Sequence, residues 1–485
     1  MKLKYPICLY GLLFLFFSNA PLQAQPSAQS PNFVIIIGDD ISWDDLGCYG
    51  NPVVKSPNID QLASEGLKFT NTYLTASSCS PSRCSIVAGR YPHNTGAAEL
   101  HTPLPAGMPT MPGELKRAGY YTAAAGKWHM GPDAKSDFDL VVEQNNGSGG
   151  EAQWLNVLQQ RPRDKPFFMW LASHDAHRIW QADDFGVPHD PGKVFVPPYL
   201  VDAPATRQDL ASYYNEIQRF DFYVGQVKNE LLMQGVLDNT IMVVMADNGR
   251  PFPRCKTRVY DSGMKTPFVL SWPKGVQSRG AESTSMISVI DIAPTFLEMA
   301  GIKAGDTFQG VSFLPTIKKP DAPHRNFIFA EHNWHDYEAH ERMVRSKHFM
   351  FVSNKRPQYP NQGPADSNES GSYADLKTVR DLGKLNQAQS DVFATPRAAE
   401  ELFDCLLDPQ QLNNVASQKV YAGVLQDMRN VLHKWTVETG DDVPDQLTPS
   451  WYDTETGKNL DVKQVRGEMP GTKTKAVDHN SKGPF

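Results

Sequence analysis

Cys79 and Arg83 lie four residues apart in Cys79-Ser80-Pro81-Ser82-Arg83, and that spacing has a chemical meaning. Proline suits the first position of a helix and a serine before it suits the N-cap, so the stretch predicts a helix opening at Ser80-Pro81. Cys79 then sits just ahead of a helix N-terminus, where backbone N–H groups and the helix dipole favour an anion. Arg83, one turn on, brings a guanidinium towards the thiol. The combination reads as a reactive side chain facing a pocket for a multi-oxygen anion. The same five residues also fit a buried cysteine at the head of an ordinary helix.

Other residues bear on the choice. Asp39 and Asp40 follow the apolar run 33–37, and Asp247 and Asn248 follow the apolar run 240–246. Adjacent carboxylates repel each other unless a cation neutralises them, and four oxygen donors suit a hard divalent ion such as Ca²⁺ or Mg²⁺. Either pair could instead cap a loop or a helix. Lys127 and His129 share one short loop, and Lys256 lies just past Asp247-Asn248-Gly249. His174 and His177 have the spacing of a zinc pair, but their companions are carboxylates. Glu331, His332, Trp334, His335, Asp336 and Arg342 form a polar-aromatic group suited to sugar hydroxyls and carboxylates, or to a solvated loop. His101 and His177 are further candidates for touching substrate.

These residues need a scaffold that brings distant segments together. The continuous apolar runs at 33–37, 167–172 and 240–246 read as strands buried on both faces of a parallel sheet. Shorter strands are expected at 120–125 and 268–272. Helices are expected at 56–67, 112–118, 207–234 and 291–299, the third from apolar residues at helical spacing. Alternating strands and helices give an α/β fold, and the chemistry-bearing residues follow the C-terminal ends of strands, the ligand-binding edge of such sheets. Past residue 340 the pattern changes. Strands at 343–352 and 401–404 and a helix at 420–435 predict a smaller C-terminal α+β subdomain with an antiparallel sheet (341–485). Residues 354–391 read as a long surface excursion, and the last forty residues as a polar wrap.

The 485 residues carry 47 Lys and Arg against 54 Asp and Glu, a net charge of −7, with no strongly basic run. That argues against a nucleic-acid partner. Lys2 and Lys4, the apolar stretch 7–17 and the small residues of SNAPLQA predict a signal peptide over 1–24 and a periplasmic or secreted protein. No stretch reads as a membrane span. Cys48, Cys79, Cys84, Cys255 and Cys405 remain after the leader, an odd number that flags one special thiol.

Taken together, the strand then Asp39-Asp40, CSPSR, Gly126-Lys127-Trp128-His129, His174-x-x-His177 and Asp247-Asn248-Gly249 then Lys256 resemble the type I sulfatase family, in the same order from end to end. The resemblance implies an alkaline-phosphatase/sulfatase-like catalytic domain over 25–340. It implies that Cys79 is oxidised to formylglycine by a sulfatase-maturing enzyme before folding, and that its hydrated aldehyde is the nucleophile. It also implies one Ca²⁺ on Asp39, Asp40, Asp247, Asn248 and the modified Cys79. Arg83 would hold the formylglycine, Lys127, His174 and Lys256 the sulfate oxygens, and His129 the formylglycine hydroxyl; His174 would protonate the leaving atom. SSCSPSR, GKWHMGP, NNGSGG, KPFFMWLASHDAHR, VPPYLVDAPATRQDLASYY and DNGRPFP are similar to the N-sulfoglucosamine sulfohydrolase group and its bacterial relatives. Ala176 departs from the proline usual there, and Trp128 stands at a variable position. The substrate implied is a sulfated glycan, N-sulfated or, as in algal glycans, O-sulfated. A phosphatase or phosphodiesterase of the same superfamily and a non-catalytic glycan-binding protein are the competing readings.

Overall fold

The computed structural model describes residues 1, 30–143, 150–462 and 464–485. The expected signal peptide and the NNGSGG segment fall almost entirely outside the described residues. Fourteen strands are described: β1 (Asn32–Gly38), β2 (Leu67–Phe69), β3 (Thr72–Tyr73), β4 (Tyr121–Gly126), β5 (Leu140–Glu143), β6 (Phe167–Ala172), β7 (Thr240–Ala246), β8 (Phe268–Ser271), β9 (Ala281–Ser283), β10 (Ile287–Ser288), β11 (Ile328–His332), β12 (Glu341–Arg345), β13 (Phe349–Asn354) and β14 (Glu400–Asp404). Eight form one sheet in the order β5-β4-β6-β1-β7-β8-β2-β9. Its first five strands are mutually parallel; β8 runs against both β7 and β2.

The β-branched run of β1 takes the centre because both its faces can be buried. Phe33, Ile35 and Ile37 enter the core on one side of the sheet, and Val34 and Ile36 the core on the other. Two helices matter most for the site. α1 (Pro57–Glu65) packs with the long helix Pro204–Met233 on the Val34 side, and α2 (Cys79–Ala88) lies on the Phe33 side. Gly66 ends α1, so Leu67, expected within that helix, opens β2 instead. The second sheet, β11-β12-β13-β14, is antiparallel throughout. Its first strand starts at Ile328, ahead of residue 341.

Residues 354–391 do not form a bare surface excursion. They include the helix Gly371–Asp381, which buries Tyr373 and Leu376 and packs on the helix Pro204–Met233. Among the described residues no helix is long and apolar enough to cross a membrane.

Candidate active site

Four neighbouring strands, β4, β6, β1 and β7, end along one edge. Lys127 follows β4, His174 lies two residues past β6, Asp39 and Asp40 follow β1, and Asp247 and Asn248 follow β7. Parallel neighbours thus gather residues more than 200 positions apart. The strand ends are also tied to each other. Asp39 N donates to Asp175 O at 2.7 Å, and Lys127 N to Ala172 O at 3.0 Å. Gly126 (φ +94°) leads into Lys127; a Cβ there would lie 1.9 Å from Ala172 O, so only glycine allows this approach.

α2 aims at this edge. It begins at Cys79, with Ser78 as N-cap, two residues earlier than the expected opening at Ser80-Pro81. Pro81 remains in the first turn, where its missing N–H has no intrahelical partner to lose. Cys79 is buried, its Sγ 3.8 Å from Asp39 Oδ1 and 3.2 Å from Asn248 Nδ2. Arg83 donates through Nε to Asp247 Oδ2 at 2.7 Å and through Nη1 to Lys127 O at 3.1 Å. Lys256 Nζ contacts Asp40 Oδ2 at 2.6 Å, and Lys127 Nζ contacts Asp39 Oδ2. The loop carrying Lys256 is fastened beside α2 by Thr257 N donating to Ser77 O at 2.9 Å.

The charges balance: three carboxylates (Asp39, Asp40, Asp247) meet three cations (Arg83, Lys127, Lys256), all buried or nearly so. Burial works to raise Asp39, but Lys127, with His177, Arg83 and Lys256, holds it well below the usual carboxylate range. Burial lifts Asp40 to about 7 and Asp247 to about 6 against the neighbouring cations. A further cation held among these carboxylates would favour their ionised forms against burial. Asp39, Asp247 and Cys79 bring their donor atoms within 4.8 Å of one another. Asn248 Oδ1 is buried without a hydrogen-bond partner, while its Nδ2 faces Asp40 Oδ1 at 3.0 Å and Asp247 Oδ1 at 3.1 Å. Three carboxylates and an amide oxygen fit a hard divalent cation. The sulfur of Cys79 does not, and an oxygen in its place would complete the donor set.

The thiol is itself a poor nucleophile here. Burial pushes Cys79 up to about 12, against the pull of Lys127 and Lys256, so it stays protonated at neutral pH. Burial, then Lys127, lowers His129 to about 2, leaving a neutral imidazole. Its Nε2 meets His101 Nδ1 at 2.7 Å, and its Nδ1 is buried without a hydrogen-bond partner. His101 is fastened to the first turn of α2 by its N–H donating to Ser80 Oγ at 2.7 Å. Asp40 (φ 63°), His101 (φ 65°) and His129 (φ 58°) are all left-handed non-glycine residues, a strain that concentrates at functional sites. His101, Lys127, His129 and His174 line one cavity of about 480 Å³.

The expected substrate residues divide. His335 Nδ1 bonds the N-cap hydroxyl of Ser78 at 2.7 Å, and His177 Nε2 lies 3.6 Å from Asp366 Oδ2. Both feel the charge of Lys256. Glu331 and Arg342, expected to touch substrate, instead belong to a buried ionic network. Glu331 bonds His93 Nδ1 and Asn333 Nδ2, both at 2.8 Å, and Arg342 forks Asp441 at 2.6 and 2.8 Å. Glu331 and Arg342 lie on paired strands, Glu331 opposite Arg342, so their polarity serves the sheet's own charge balance. One neighbour lies outside the sequence reading and another sits elsewhere than its group implies. Asp366 lies in the supposed excursion, and Trp334, noted only within its polar-aromatic group, packs against Cys79 and Leu100. Neither carries a spacing signal.

Comparison with known proteins gives the family and the fold. The sulfatase family model matches residues 31–149 and 152–302, and the model described as N-sulphoglucosamine sulphohydrolase, C-terminal, matches 255–357. An ulvan-active sulfatase of Formosa agariphila is 30% identical over 458 residues, 83% of this chain and 75% of that protein. Human N-sulphoglucosamine sulphohydrolase is 30% identical over 461 residues, 85% of this chain and 91% of that protein. A solved structure of a protein in complex with its substrate D-glucosamine-2-N,6-O-disulfate shares the fold, with TM-score 0.64 at 19% identity, covering 84% of this chain and 98% of that one. Sulfatases generally use a formylglycine and a divalent metal, and the chain, with the helix of Cys79 set against a cluster of carboxylates, belongs to the sulfatase family of sulfuric ester hydrolases.

Proposed function

We propose that this enzyme removes sulfate from a sulfated glycan after Cys79 has been converted to formylglycine, and that N-sulfated glucosamine is its preferred substrate. The observation that carries the reading is the buried ring of Asp39, Asp247, Asn248 and Arg83 around Cys79 at the head of α2. As a thiol, Cys79 is buried and protonated; as a hydrated aldehyde it would offer a hydroxyl oxygen to attack sulfur. Asp39, Asp40, Asp247 and Asn248 would hold one Ca²⁺, which when bound supplies charge stabilisation to that oxygen.

The chain's own residues do the rest. Arg83 fixes Asp247 beside residue 79. Lys127 and Lys256 stay charged and neutralise the sulfuryl oxygens. His129, neutral and with Nδ1 unpartnered, can take a proton from the residue-79 hydroxyl. His174, in the same cavity, is our donor for the leaving nitrogen or oxygen. A sulfatase-maturing enzyme acting on Cys79 and export to the periplasm or beyond complete the proposal.

A second reading, an O-sulfatase on algal oligosaccharides, rests on the equal 30% identity to the ulvan-active sulfatase. The test is inorganic sulfate release by the matured enzyme from N-sulfated glucosamine, O-sulfated glucosamines and sulfated algal oligosaccharides in parallel. Release from the N-sulfated sugar supports the first reading, and release only from an O-sulfated glycan replaces it with the second.

A further inference from the structure

The C-terminal segment does more than wrap the surface. It carries Trp451 and Arg466 to the head of α2. Trp334 packs with Cys79 and Leu100, and Trp451 lies against that cluster with the two indole centres 4.4 Å apart. The Arg466 guanidinium carbon stands 4.1 Å from the Trp334 ring centre and 4.8 Å from that of Trp451. Its Nη2 donates to Leu100 O at 2.9 Å. The next residue, His101, lines the cavity and meets His129. A guanidinium is thus held on two aromatic faces and bonded to the residue before cavity-lining His101, an arrangement that limits its swing.

Its charge is poorly answered. The nearest carboxylate oxygen, Glu99 Oε2, is 3.4 Å from Nη1 and also accepts the Thr448 hydroxyl at 2.7 Å. Burial lifts Glu99 to about 7, so that carboxyl is only partly ionised at neutral pH. Among the described residues Arg466 Nε makes no hydrogen bond, and a third of the side chain is exposed. A planar fork with an open edge matches a carboxylate or a sulfate.

We propose that Arg466, held on the Trp334–Trp451 platform, is a specificity residue that receives a second oxyanion of the sugar whose sulfate is removed at residue 79. The proposal rests on the sulfatase reading above. It explains why a long polar tail is anchored beside the nucleophile, and it defines the substrate class as doubly anionic sugars. The second oxyanion is either another sulfate or a uronate carboxylate.

The test compares the matured enzyme with R466Q and R466K on three probes. These are glucosamine N-sulfate, glucosamine N,6-O-disulfate, and an N-sulfated glucosamine linked to a uronate. R466Q should raise KM about tenfold on one or both doubly anionic probes, the loss of a charge-assisted hydrogen bond. KM for the monosulfated sugar and kcat for all three should stay within about twofold, and R466K should fall between. A rise on the disulfate alone assigns a sulfate partner, and a rise on the uronate alone a carboxylate. Equal rises on all probes, or none, overturn the proposal. If the wild type turns over no probe, the N-sulfated glucosamine reading fails, and calorimetric titration of the same probes into the unmatured chain decides the subsite. Weaker binding of only the doubly anionic probes to R466Q supports it, and any other pattern overturns it.

Discussion

At the edge of the eight-stranded sheet, Asp39, Asp40 and Asp247 face Arg83, Lys127 and Lys256; beside the four-stranded sheet, Glu331, Glu341 and Asp441 face His93, Arg342 and Arg397. The residue types are alike and both groups are buried. The partners differ. In the second group a guanidinium grips both oxygens of Asp441, and Arg397 spans both oxygens of Glu341 at 2.7 and 3.3 Å. In the first, Asp39 and Asp40 each meet the single ammonium of a lysine, a point charge on a flexible stem that can turn to another anion. One of the six in the first group, Asp40, is left-handed, as is the neighbouring His129; none of the six in the second has a positive φ. Buried charge alone therefore does not mark function. Lysine point contacts that can be exchanged, beside a strained backbone, are what set the first group apart.

The sharpest way to separate the two regions is Cys79→Ala. It should abolish turnover, by about a thousandfold or more, while the urea midpoint stays near that of the parent. Arg342→Met should do the reverse. It strands Asp441 and Glu331 without their guanidinium and should cost about 3–5 kcal/mol of stability, with kcat per folded molecule within about twofold. A kcat collapse at unchanged stability would move Arg342 into the chemistry. Lys256→Met should lower kcat about 100- to 1000-fold, as loss of a transition-state cation does.

Chelation addresses the first region only. Dialysis against a calcium chelator should remove activity and about 2.7 kcal/mol of stability relative to protein at a hundredfold excess over Kd, and calcium should restore both. An untouched midpoint would argue against a cation on Asp39, Asp40, Asp247 and Asn248.

The effect smallest per step of the variable is a pH slope from the second region. Burial holds His332 and His340 at about 4, below the 6.5 of an ordinary imidazole. As pH falls, the unfolded chain takes these protons first. The stabilisation is therefore present above about pH 6.5 and lost towards about pH 4, at up to about 1.4 kcal/mol per pH unit for each histidine. Urea midpoints across that window check it, and His340→Gln should remove one histidine's share of the slope.

Much of the first region was legible in the sequence because it obeys strong local rules. The apolar runs of β1, β6 and β7 admit little but buried strands, and the residues just after them fall on one edge by the geometry of parallel sheets. The second region was not. Alternate polar residues on a strand look the same whether they face a sugar or each other, so the sequence leaves Glu331 and Arg342 open between substrate contact and a solvated loop. Leu67 fits the apolar spacing of a helix that Gly66 ends, and the helix Gly371–Asp381 shows few apolar positions to announce it. Arg466 is one arginine in a polar tail, and only folding brings it to Trp334.

The central claim is that turnover depends on converting Cys79. The direct measurement is inorganic sulfate release from N-sulfated glucosamine by protein produced with and without a sulfatase-maturing enzyme, with the residue-79 peptide of each sample analysed for its aldehyde by mass spectrometry. The account predicts release in proportion to the aldehyde fraction and none from the unconverted thiol. Equal release from the unconverted protein would contradict it.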